Sequence, residues 1–249
     1  FMEDLKLLSR PVNYLTYSVA ARDGREHEVE VYFEASPRWA LDQPYQQSAS
    51  KGYEADGLLY LKSGSKEQNI LAKQGDDLRI DWGYFYMVAG KENTAYSVGN
   101  STELRKNFVN GTLNSASLEG EDSNGNMALV RSHGKVKNVT DKIMLGYDDI
   151  YSIQYFGTNL RPYWNSKGDR TIEAEMLAAY NEYDKLLARC YAFDKKLMED
   201  ASAAGGKEYA ELCALAYRQS IAAHKLVEAP NGDLLWLSKE NNSNGCINT

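Results

Sequence analysis

The chain has 249 residues, a formal net charge of -7 at pH 7, 43% hydrophobic and 25% charged residues, the balance of a folded globular protein rather than a disordered one. Its acidic field and scattered Lys and Arg residues offer no stripe that could track a phosphate backbone, so nucleic acid is not an expected partner. No run of about eighteen apolar residues occurs, so no membrane-spanning segment is expected.

Residues 12–20 and 27–35 flank Arg22-Asp23-Gly24-Arg25. The second run alternates, with Val29, Val31 and Phe33 on one face and Glu28, Glu30, Tyr32 and Glu34 on the other, which with an Asp-Gly turn predicts a β-hairpin. Residues 36–50 carry Pro37 and Pro44 and read as an ordered loop that packs through Trp39 and Tyr45. Strands are expected at 52–62, 68–73, 78–89 and 94–98, and Gly83 marks a bulge or a close backbone approach. Residues 99–126 read as surface loops around a short helix at 101–108, and strands resume at 127–137 and 139–156. Short strands with turn signals between them predict a β-sandwich or supersandwich.

From Thr171 the period changes. Ile172, Met176, Tyr180, Tyr183, Leu187, Cys190, Tyr191, Leu197 and Met198 recur at three- and four-residue spacing, predicting a long amphipathic helix capped by Thr171 and ended by Gly205-Gly206. A second helix is expected over 207–228, with Tyr209, Leu212, Cys213, Ala216, Tyr217, Ser220 and Leu226 facing inward. The two would form an antiparallel helical hairpin.

Cys190, Cys213 and Cys246 lack metal-ligand spacing, as do His27, His133 and His224, so neither a metal nor any other cofactor is expected. The densest functional stretch is Leu145–Trp164, at the junction of the strand-rich and helix-rich parts, where a cleft would be lined. Asp148 and Asp149 are candidate catalytic carboxylates, although adjacent residues on a strand face opposite ways. Tyr151, Gln154, Asn159, Arg161, Tyr163 and Trp164 could form a platform for a polar substrate or an interdomain interface.

Four segments carry a family resemblance: AARDGREHEVEVYFEASPRWA, GYDDIYSIQYFGTNLRPYW, ARCYAFDKKLMEDASAAGGKEYAELCALAYRQSIAAHKLV and LLWLSKENNSNG. Together they resemble the glutaminase A family of secreted proteins. The resemblance implies a β-domain over residues 1–165, followed at 166–249 by a linker and the first hairpin of a truncated six-hairpin α/α toroid. In such toroids the loops after each hairpin line the funnel, which makes Glu240 a third candidate catalytic carboxylate. The implied activity is hydrolysis of the glutamine amide, or of a glycosidic bond as in other toroid hydrolases, with a small amide or glycan as substrate and the remainder of the parent chain as partner. The chain alone would then be inactive, in a protein that is secreted, periplasmic or at the cell surface. The alternatives are a carbohydrate-binding β-sandwich or a structural accessory domain.

Overall fold

The computed structural model describes residues 2–73, 79–113 and 125–238. Helix α1 (Leu5–Ser9) leads into β1 (Val12–Ala20) and β2 (His27–Ala35), then β3 (Ser48–Ala55), β4 (Leu58–Ser65), β5 (Tyr84–Gly90) and β6 (Thr94–Gly99). Helix α2 (Ser101–Val109) precedes the long strands β7 (Asn126–Val136) and β8 (Asn138–Asp148). A small hairpin, β9 (Ile153–Tyr155) with β10 (Thr158–Leu160), connects to the helical segment α3 (Ile172–Ala223), and β11 (His224–Glu228) pairs with β12 (Leu234–Ser238). Among the described residues the two large sheets are five-stranded, β1-β8-β5-β4-β3, and three-stranded, β2-β7-β6, with every neighbour antiparallel.

The expected hairpin of residues 12–20 and 27–35 does not form. β1 pairs with β8 from Val12↔Gly146 to Ala20↔Asn138, while β2 pairs with β7 from His27↔Val136 to Ala35↔Met127. Since Lys137 alone separates β7 from β8, residues 12–35 run as one long antiparallel partner of 127–146, and the segment around Asp23-Gly24 bulges out opposite Lys137. The Ala21 N–H still donates to the Lys137 carbonyl at 2.8 Å. That bulge lets the ribbon bend from one sheet into the other, so a turn-like sequence here makes a corner of the sandwich.

Between the sheets lie Leu59, Leu61, Phe85, Met87 and Ile143 from one side and Met127, Leu129, Tyr96 and Val98 from the other. The opposite face of the larger sheet is covered too: Leu58, Tyr60, Val88 and Met144 pack against Ile172, Met176 and Ala179. β4, flanked by β3 and β5, is therefore buried on both faces and reads as an apolar run rather than an alternation. Each fully buried Leu or Met contributes roughly 1.5–3 kcal/mol of transfer free energy.

Several strand expectations shift. The run expected at 52–62 is split by Asp56 and Gly57, both at positive φ (49° and 77°), into the hairpin of β3 and β4. Residues 68–73 form turns rather than a strand, with Gln68 and Leu71 at positive φ. The strand expected from 139 to 156 stops at Asp148.

Thr171 caps α3 through its Oγ1, which accepts the Ala174 N–H at 3.2 Å, and Glu173 and Glu175 in the first turn favour the positive end of the helix dipole. Tyrosines dock this helix on the sheet. Tyr14 donates to the Ala179 carbonyl at 2.8 Å, Thr16 meets the Tyr183 hydroxyl at 2.6 Å, and Tyr53 donates to Glu173 at 2.6 Å. Gly206, with φ 83° and ψ -176°, breaks α3 into arms 172–205 and 207–223, which lie side by side, as the 5.1 Å contact of the Phe193 and Tyr217 rings requires. The second arm stops at Ala223 instead of reaching 228, because 224–228 pairs with β12. Tyr209 and Leu212, expected to face inward, are 47% and 62% exposed; periodicity identifies an apolar face without saying what covers it.

Candidate functional site

The end of β8 is fixed from two sides. Trp82 donates its indole N–H to the carbonyls of Asp149 (2.8 Å) and Tyr151 (2.9 Å), while the Tyr147 hydroxyl donates to the Trp82 carbonyl at 2.6 Å. Gly83 comes so close that a Cβ added there would lie 2.3 Å from the Asp148 carbonyl oxygen, which is the close approach its position in the sequence suggests. Between the two aspartates and Tyr151 sits Ile150 at φ 56°, a left-handed conformation that a β-branched residue adopts only when its surroundings enforce it. Such strain gathers at functional positions.

This turn gives the two adjacent carboxylates different surroundings. Asp149 is 2% exposed. Its Oδ2 accepts from the Ser152 hydroxyl at 2.7 Å and pairs with Lys225 Nζ at 2.9 Å. Lys225 also lines a cavity of about 210 Å³ together with Tyr147, Asn13, Arg10, His224 and Trp236, where the sandwich meets the strand that follows the helical arms. The His224 and Trp236 rings stack at 5.4 Å in its wall.

Asp148 continues the outer face of β8, in register with Tyr84 of β5. Its Oδ1 accepts the Ile150 N–H at 3.0 Å. Burial pushes its carboxyl above the usual range, an effect reinforced by Asp149 and opposed by the Ile150 amide, Lys62 and Lys225. Lys62 lies on the same face with Nζ 3.6 Å from the Tyr84 ring centroid and 5.6 Å from that of Tyr86. Burial and the nearby Lys51 ammonium lower its pKa, while Glu173 and Asp148 partly restore it. A carboxyl displaced upward on β8 and an ammonium displaced downward on β4, on one face with the tyrosines of β5 between them, form the pattern that proton-transfer sites use.

The remaining candidates fall into two groups. On the small hairpin, Gln154 donates to Asn159 at 3.1 Å across the β9–β10 register, and Arg161 lies 4.7 Å from the Tyr151 ring centroid. Tyr163 and Trp164 instead line a separate cavity of about 320 Å³ with Lys6, Arg170 and Glu228. The six residues therefore do not form one platform. Glu240 lies outside the described residues. Lys62, Tyr84, Tyr86, Glu173 and Lys225 are the members the sequence reading missed. The available signal was Lys62 itself, a charge that directly follows the apolar run Leu58-Leu59-Tyr60-Leu61. Among the described residues, no group of three His, Cys, Asp or Glu side chains could hold a metal ion, and no helix is long and apolar enough to cross a membrane.

Comparison with known proteins adds family evidence. Residues 1–200 match the family model described as a domain of unknown function (DUF5127), and residues 206–249 match the glutaminase A six helical-hairpin domain. A curated relative, glutaminase A of Aspergillus oryzae (strain ATCC 42149 / RIB 40), is 27% identical over 264 aligned residues that cover 99% of this chain and 37% of that protein. The chain thus spans little more than a third of the length of this relative.

Proposed function

This chain belongs to the glutaminase A-like family, and from that premise we propose that it supplies the β-domain and first helical hairpin of a larger secreted or cell-surface amide hydrolase. The observation that carries this reading is the alignment of 99% of the chain with a protein named glutaminase A. In this reading the outer-face patch at the end of β8 forms one wall of the active-site cleft. Asp148 is the proton-transfer group: burial favours its protonated form, which suits delivery of a proton to the departing amide nitrogen as water adds to the carbonyl carbon and the C–N bond breaks. Lys62 holds the substrate's carboxylate or the developing oxyanion. Asp149 clamps the β-domain to Lys225 and does no chemistry. The rest of the catalytic set, with Glu240 as the candidate from the helical part, comes from chain that follows the hairpin.

The test is release of ammonia from glutamine by the longer protein that contains this chain and by the 249-residue chain alone. The proposal expects turnover by the first and none by the second. Turnover by the isolated chain at a comparable rate would overturn the division of labour, and no release of ammonia from either would overturn the amide-hydrolase reading.

A further inference from the structure

We propose that the loops before β3 and after β4 form a second site, which binds a neutral saccharide. A cleft of about 330 Å³ lies there, lined among others by Gln43, Tyr45, Gln47, Glu67, Asn69 and Lys73. It shares no lining residue with the Asp148 patch, and it is wide enough for one or two sugar rings.

Its floor is built rather than fluid. The Gln46 Oε1 accepts the N–H groups of Asp42 and Gln43, each at 2.8 Å, while its amide nitrogen donates to Asp81 at 3.0 Å. Lys73 Nζ sits between Asp42 (3.0 Å) and Asp81 (2.6 Å), carboxylates that are 8% and 1% exposed. The Lys66 N–H donates to the Gln47 carbonyl at 3.0 Å and ties the two loops together. A ligand would meet preorganised groups, which lowers the entropy that binding must overcome.

The lining chemistry selects the ligand class. Gln43, Gln47 and Asn69 carry amides, which donate and accept at once, as sugar hydroxyls do. Glu67 adds acceptors, with one oxygen held by the Asn69 amide at 3.0 Å. Lys66 and Lys73 line the cleft, but Glu67 lines it too and two buried aspartates answer the Lys73 ammonium, so the cleft offers no surplus of positive charge to an anion. At its lip Tyr45 is 80% exposed, although the sequence suggests that it packs. Pro44 restricts the backbone beside it, so the ring is presented at small entropic cost. An exposed aromatic face beside convergent polar groups suits the C–H face of a pyranose ring.

The test is isothermal titration of the 249-residue chain with maltohexaose, cellohexaose, xylohexaose, mannohexaose and chitohexaose, alongside the acidic hexagalacturonate. Phe156, 91% exposed on the small hairpin, provides the control variant Phe156→Ala. At least one neutral oligosaccharide is expected to bind saturably, and Tyr45→Ala, a change at an exposed position that leaves the fold intact, is expected to weaken it by about tenfold or more. Gln47→Ala should weaken it less, and Phe156→Ala should leave it unchanged. Absence of binding by every neutral member up to about 10 mM, binding by hexagalacturonate alone, or equal binding by the parent and Tyr45→Ala would each overturn the proposal.

Discussion

Lys225 and Asp149 meet through a 2.9 Å ion pair whose side chains are 24% and 3% exposed, joining the strand after the helical arms to the last turn of the sandwich. The Pro162↔Val227 bridge lies beside it in the chain and ties the same strand, through the backbone, to the linker that follows β10. The two parts are thus held by a desolvated charge and by a strand contact.

Removing one partner of that pair leaves the other charge buried. Lys225→Met is therefore expected to lower unfolding stability by about 2–3 kcal/mol, somewhat under the value for a fully buried pair because the ammonium keeps part of its water. Adding Asp149→Asn to Lys225→Met should restore part of the loss, since the unpaired charge is gone. Urea denaturation of Lys225→Met, Asp149→Asn and the double variant measures both effects, and a double variant that loses the sum of the single losses would show that the pair is not coupled.

Gly83 offers a steric test of the same turn. It has φ 79°, and its added Cβ would fall 2.3 Å from the Asp148 carbonyl oxygen and 3.0 Å from the Asp149 Cα, both backbone atoms. Gly83→Ala is expected to destabilise by more than about 2 kcal/mol. Gly24→Ala, at φ 71° in open space, should cost only about 1 kcal/mol. Thermal melts of the two variants compare these costs directly, and equal losses would contradict the packing described for Trp82, Gly83 and Asp148.

What the sequence disclosed follows the range of the interactions. The long helix was legible because its buried stripe, Ile172, Met176, Ala179, Tyr183 and Leu186, is local. The partner of residues 12–20 was not, because it lies more than a hundred residues away in β8, and the adjacent run with the better turn signal goes to the other sheet. Residues 224–228 fit a helical stripe as well as a strand, and pairing with Leu234–Ser238 decided between them. The aspartate pair drew attention through its types alone. Its division into a clamped and a displaced carboxyl depends on burial at the end of β8, on the Ser152 hydroxyl and Lys225 that hold Asp149, and on Lys62 of β4, which the fold brings together from distant parts of the chain.

The displaced carboxyl gives a pH signature. Burial, the largest influence, raises the Asp148 pKa above 3.8, so the folded chain holds this proton more tightly than the unfolded one. For a raised acid, ionisation costs stability. The cost is absent below the unfolded value and grows as pH rises through the folded one. Asp148→Asn keeps an acceptor for the Ile150 N–H and removes the charge. It is expected to melt higher than the parent at pH about 7, with the gap closing below pH about 4. A gap that is constant with pH, or reversed at neutrality, would show that the Asp148 carboxylate is not destabilised by its surroundings.

In the proposed function Asp148, and not its neighbour, carries the proton in amide hydrolysis. Its most direct test is kcat for ammonia release from glutamine by the longer protein bearing Asp148→Asn or Asp149→Asn, each checked for folding by circular dichroism. Folded Asp148→Asn is expected to lose about 10²–10⁴ in kcat, whereas Asp149→Asn loses stability and keeps kcat in its folded fraction. A folded Asp148→Asn protein with kcat within about twofold of the parent would contradict it.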